Sequence, residues 1–98
     1  MRTNTTTRVV ARATGAAFWT EMARRRARLG DAAFEEALVL DLASADVARH
    51  VIHQLAVVDP NSEWALHPEV AETLELDGEP ISADDVAWNV IAHLEGVA

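Results

Sequence analysis

Ser44–Val58, SADVARHVIHQLAVV, is the stretch on which the fold turns. Val47, Ala48, Val51, Ile52, Leu55 and Val58 recur at helical spacing and form one continuous apolar stripe. Asp46, Arg49, His50 and His53 fall outside it. Ser44 stands where a helix cap belongs. Asp59-Pro60-Asn61-Ser62 closes the segment with turn-forming residues. The spacing predicts a helix over 45–58 whose apolar stripe other elements must cover.

Toward the N-terminus, Asp31 is expected to cap a preceding helix, with Glu35 and Glu36 in its first turns. Phe34, Leu38, Val39, Leu40 and Leu42 circle that helix's axis, the pattern of a central helix or one that contacts a partner. Gly15–Leu29 reads as another helix, with Phe18, Met22 and Leu29 on one face and Trp19 beside it. Arg24, Arg25 and Arg28 lie opposite, and Glu21 is spaced to pair with Arg25 at i,i+4. Arg26 falls near the apolar face, where its stem can pack while its head reaches out. Gly30 ends this helix. Residues 1–13, MRTNTTTRVVARA, have no helical period and read as an arm or a pairing strand.

Toward the C-terminus, Trp64 and Leu66 sit in a connector. Pro68 suits the first turn of a fourth helix over 68–76, with Val70 and Leu74 facing in. Asp77-Gly78 is a turn. A competing reading pairs Thr73–Leu76 with Pro80–Ser82 as a hairpin around it, a pairing that Pro80 weakens. Ser82 and Asp85 resemble a capping box for a last helix over 83–95, which turns Val86, Ala87, Val90, Ile91 and Leu94 to one face. Trp88 lies off that stripe, near Asp84 and Glu95. The expected fold is all-α: a compact bundle of four to five short helices over 14–98, one domain, with a basic, Thr/Arg-rich N-terminal arm over 1–13.

Composition narrows the function. Half of the 98 residues are apolar, which suits a folded globule. With no cysteine, disulfides, thiolate zinc sites and cysteine nucleophiles are excluded, and a reducing cytoplasm is the expected location. No apolar run approaches the roughly 20 residues that cross a bilayer, so no membrane partner is expected. The Arg- and Thr-rich, acid-poor start faintly resembles an organelle transit peptide. The plainer reading is a high-GC bacterial or phage gene, since lysine and tyrosine are absent. The four glycines are scattered at element ends, so there is no phosphate-cradling loop. Asp46, His50 and His53 share one side of a helix and are acceptable zinc ligands by type. The preferred reading is a solvated face on which Asp46 and His50 pair at i,i+4. No metal, cofactor or catalytic set is expected.

Charge is the strongest lead. Residues 1–28 hold seven arginines and one acid, Glu21; residues 29–98 hold fifteen acids and one arginine, Arg49. The halves carry +6 and −14, which sum to the net −8 of the chain. Arg24, Arg25, Arg26 and Arg28 form a basic cluster. Its two readings are contact with nucleic acid or another anionic surface, and pairing with the protein's own acids. Glu69, Glu72, Glu75, Asp77, Glu79, Asp84 and Asp85 form the densest acidic run, and Trp88 beside them has the character of a binding hot spot.

Glu35–Val51, EEALVLDLASADVARHV, resembles a helix-turn-helix: Ala37 is the small residue of the first helix, Asp41 the turn residue and Val47 the buried aliphatic. Leu40, Leu42 and Val51 take the packing positions, while Asp41 stands where glycine is usual. The resemblance implies a DNA-binding regulator that offers Ser44, Asp46, Arg49 and His50 to the duplex, with the N-terminal arginines on its backbone. Only Arg49 among these four is a fixed cation, and Asp46 would be repelled by phosphate. The favoured expectation is therefore a small acidic, non-enzymatic regulator or inhibitor of phage or bacterial type. Its acidic helical surface would occupy a basic, nucleic-acid-binding site on a protein partner. A homo-oligomer, with the basic arm of one copy on the acidic body of another, is the third expectation.

Overall fold

The computed structural model describes residues 13–96, and among them are six helices and one two-stranded hairpin. The helices are α1 (Gly15–Leu29), α2 (Asp31–Asp41), α3 (Ala45–Val58), α4 (Glu63–Leu66), α5 (Glu69–Thr73) and α6 (Ala83–Gly96). Strands β1 (Glu75–Leu76) and β2 (Glu79–Pro80) lie between α5 and α6. The fold is all-α. The expected arm over 1–13 lies, but for Ala13, outside the described residues.

Four helices build the core. Helix α1 turns Phe18, Met22 and Arg25 inward, and α2 turns Phe34, Leu38 and Asp41 inward, each set spaced i, i+4, i+7. Helix α3 buries Val47, Ala48, Val51, Ile52, Gln54 and Leu55 and touches α1, α4, α5 and α6. Helix α6 lays Val86, Ala87 and Val90 across α1, α2 and α3. Trp64, Val70 and Ala71 close the end of this cluster. Burying a side chain such as Phe18 or Ile52 contributes roughly 1.5–3 kcal/mol, and these helices depend on that packing.

Helix ends are secured in ways the sequence only partly announces. Gly30, not Asp31, is the cap residue of α2, and its φ of 87° is one that glycine adopts without strain. Ser44 caps α3 by backbone position without a side-chain bond. Ser62 is a true side-chain cap: its Oγ accepts from the Ala65 N–H of α4. Ser82 Oγ accepts from the Asp84 N–H and starts α6. The α1 N-terminus is capped from a distance: the Gly15 N–H donates to Gln54 Oε1 of α3 at 2.8 Å.

The expected fourth helix over 68–76 is replaced by two elements, α5 and β1. Helix α5 stops at Thr73 because Leu74 takes a left-handed conformation with φ 56°. Asp77 and Gly78 both have positive φ, 54° and 82°, as a two-residue hairpin turn requires. The register pairs Leu76 with Glu79 and Glu75 with Pro80. The next bond outward is the Ile81 N–H to the Leu74 carbonyl at 3.0 Å. Bonded and non-bonded pairs alternate along an antiparallel ladder. Pro80 therefore stands at a non-bonded position, where its missing N–H faces outward and the ladder loses nothing. The hairpin forms despite its proline, two residues shorter at the β1 end than the competing reading had it.

Candidate functional site

Of the basic cluster on α1, Arg25 alone is buried; Arg26 is half-buried, and Arg24 and Arg28 are exposed. Arg25 is buried: its Nη2 donates to Asp41 Oδ2 at 2.8 Å, and the two side chains are 9% and 3% exposed. This pair replaces the expected Glu21–Arg25 pair, and Glu21 accepts from Arg24 instead. Arg26, its side chain 21% exposed, donates Nε to Asp31 and Nη2 to Glu95, tying α1 to both α2 and α6. The bond to Asp31, then its charge, then Glu95, raise the Arg26 pKa above the ordinary arginine value against the opposing effect of desolvation. Arg28 is exposed and has no carboxylate partner among the described residues.

The acidic run has the opposite character. Glu69, Glu72, Glu75, Asp77, Glu79, Asp84 and Asp85 are all exposed, as is Glu63, which the sequence reading did not single out. Glu69 lies 3.6 Å from His67 Nδ1. The other seven have no cationic partner among the described residues. Asp84 and Asp85 also occupy the first turn of α6, where the helix dipole favours negative charge.

Two surface depressions sort these residues. One, of about 540 Å3, lies between the hairpin, α4 and α6. Trp64, Leu76, Pro80 and Ile81 give it apolar lining, Glu63, Glu79 and Asp85 line it with carboxylates, and Trp88 completes it. Trp88 is 63% exposed. Trp64, expected in a connector, sits on α4 and is buried there. The second depression, also about 540 Å3, runs between α2 and α6 and is lined by Glu35, Glu36, Val39, Leu40 and Asp84 among others. Of the eight predicted contact residues, the structure brings Glu79, Asp85 and Trp88 together in the first and places Asp84 in the second. Glu69, Glu72, Glu75 and Asp77 lie on α5 and the hairpin and line neither.

The side of α3 that carries the histidines is not a ligand set. Asp46 accepts from Arg49 at 3.2 Å rather than pairing with His50. His50 Nε2 bonds the Ala13 carbonyl at 2.6 Å and its ring meets Phe18 edge-on. His53 is exposed. Among the described residues no group of three His, Cys, Asp or Glu is placed to hold a metal.

Around the helix-turn-helix resemblance, three residues, Leu42 to Ser44, join α2 to α3, and Leu42, Val47 and Val51 are buried. Leu40, assigned to packing, is 71% exposed, and Asp41 faces Arg25. No helix among the described residues is long and apolar enough to cross a membrane. Compared with known proteins, the chain matches no family model, no curated protein and no solved structure.

Proposed function

We propose that this chain is a non-enzymatic, protein-binding regulator or inhibitor of phage or bacterial type, acting in the cytoplasm, whose acidic helical face occupies a basic site on a partner. One observation carries the reading. The arginines of α1 that have partners are paired within the protein, while Glu63, Glu72, Glu75, Asp77, Glu79, Asp84 and Asp85 have no cation beside them among the described residues. Negative charge left uncompensated on packed elements repels itself, and a basic surface relieves that repulsion on contact. A site that ordinarily holds nucleic acid is such a surface. Trp88 and Leu40 supply exposed apolar anchors at either side of α6.

Affinity capture from nuclease-treated lysate, eluted over a salt gradient, tests this. Partners retained at low salt and released as salt rises are expected. They are also expected to be lost by a variant carrying Glu63→Gln, Glu79→Gln, Asp84→Asn and Asp85→Asn. Retention indifferent to both salt and these substitutions overturns the reading. A second reading, a DNA-binding regulator, draws on the three-residue junction before α3 and the burial of Val47 and Val51. A gel shift on random and genomic duplexes that requires Arg28 and Arg49 favours it over the first.

A further inference from the structure

We propose that the depression between the hairpin, α4 and α6 receives an arginine side chain from an extended segment of the protein partner. The inference rests on the protein-binding reading above and assigns it a contact point. The groove is first of all an apolar feature. Trp64, Leu76, Pro80 and Ile81 line it, and Trp88 presents a largely solvent-exposed indole beside them. An exposed tryptophan on a packed helix is a ready platform for a planar cation, and arginine is the side chain that most often uses one.

Charge complementarity decides the occupant. Glu63, Glu79 and Asp85 come from three different elements, α4, β2 and α6, and reach the same depression. None has a cationic partner among the described residues. A guanidinium can stack on the indole and bond a carboxylate through its fork, while its aliphatic stem covers the apolar lining. The polar neighbours already have bonds: Asn89 Nδ2 donates to the Asp85 carbonyl and Ser82 Oγ accepts from Asp84 N–H. The carboxylates are the charged groups of the depression and the indole its exposed aromatic face.

Pro80 argues for recognition through side chains. On the outward edge of β2 it offers no N–H, so an arriving segment cannot extend the sheet in register along that edge.

The experiment is a titration of the full chain, followed by the indole N–H resonance of Trp88, with a blocked Ala-Arg-Ala-Arg peptide. The same peptide with lysine, and with citrulline, the uncharged isostere of arginine, gives the comparison. A saturable Trp88 shift is expected with arginine, weaker with lysine and absent with citrulline. Affinity, read by titration calorimetry because substitution of Trp88 removes the indole probe, is expected to fall about tenfold or more in Trp88→Ala and in Glu79→Gln/Asp85→Asn, with Trp88→Phe intermediate. Because Trp88 is exposed, these variants retain the fold, which circular dichroism checks. No saturable shift, or an equal one with citrulline, overturns the proposal. A peptide of residues 1–12 that binds tighter than the arginine peptide assigns the groove to the N-terminal residues of the chain itself, in the same or a second copy, and also overturns it. Failure here leaves salt-sensitive capture of a partner intact, whereas failure of the acidic-face reading removes that capture while the peptide still binds.

Discussion

The α1 helix and the surface running from α4 to α6 are both crowded with one sign of charge, yet the protein treats them differently. On α1, Arg24, Arg25 and Arg26 each meet a carboxylate, one of them inside the core. From Glu63 to Asp85 the carboxylates face solvent and meet no arginine among the described residues. Formal charge in a sequence is therefore a poor guide to charge that a partner can reach. An arginine at the right helical phase becomes a strut between helices. A carboxylate on a turn or an exposed helix face stays available. The contrast also explains why the basic cluster is the weaker lead to function although it is the more conspicuous run of letters.

The most severe way to break this contrast is to strand a charge in the core. Asp41→Asn leaves the Arg25 guanidinium without its counter-charge in a buried site, and a loss of about 3–5 kcal/mol is expected in chemical denaturation. Arg25→Met with Asp41→Leu together should recover most of it, because an apolar pair of similar volume carries no desolvation cost. If Asp41→Asn unfolds at the same denaturant concentration as the parent, the pair is not structural. Next in size is Gly78→Ala. Its φ of 82° strains any other residue, and about 1–2 kcal/mol should be lost as the hairpin turn deforms. Gln54→Leu should cost about 0.5–1.5 kcal/mol by stripping the exposed Gly15 N–H of its acceptor, with fraying visible in amide exchange at the start of α1. Exposed Arg24→Gln should change stability by no more than about 0.5 kcal/mol.

The smallest effect is the sharpest test of the comparison. Glu72→Gln and Glu79→Gln are expected to be neutral or slightly stabilising, within about 0.5 kcal/mol, since each removes repulsion and breaks no pair. For the same reason added salt should stabilise the parent more than it stabilises the double variant. A clear loss of stability in either amide variant would mean that those carboxylates have structural partners.

Much of this arrangement was legible in the sequence. Periodicity located α3 and α6 within a residue, because each carries its apolar residues at i, i+3 and i+4 over three or more turns, whereas α1 and α2 were bracketed mainly by Gly15, Gly30 and Asp31. The region between Asp59 and Ser82 was harder. Helix α4 is one turn long, too short to show a period, and its signal was Ser62, which reads equally as part of the preceding turn. Leu74 stops α5 through a left-handed conformation that leucine seldom adopts, and nothing in its letter announces that. The Arg25–Asp41 pair joins two helices across sixteen residues, so it follows from packing and not from spacing along one helix. Leu29 and Leu40 match the apolar pattern yet are exposed: Leu29 ends α1 past its last buried residue, Arg25, and Leu40 stands on the outer face of α2 between the buried Leu38 and Asp41. Of the candidate contact surface, Trp88 and the acids were visible as residue types. That Glu63, Glu79 and Asp85 converge on Trp88 depended on the hairpin and α4, the two elements with the weakest local signals.

The bond between His50 and Ala13 has a consequence of its own. A carbonyl only accepts, so Nε2 must carry the hydrogen, and it does so whether the imidazole is neutral or protonated. Together with the Gly15–Gln54 bond it moors the entry of α1 to α3 at two points one helical turn apart, so the direction in which the chain arrives at α1 is set by α3.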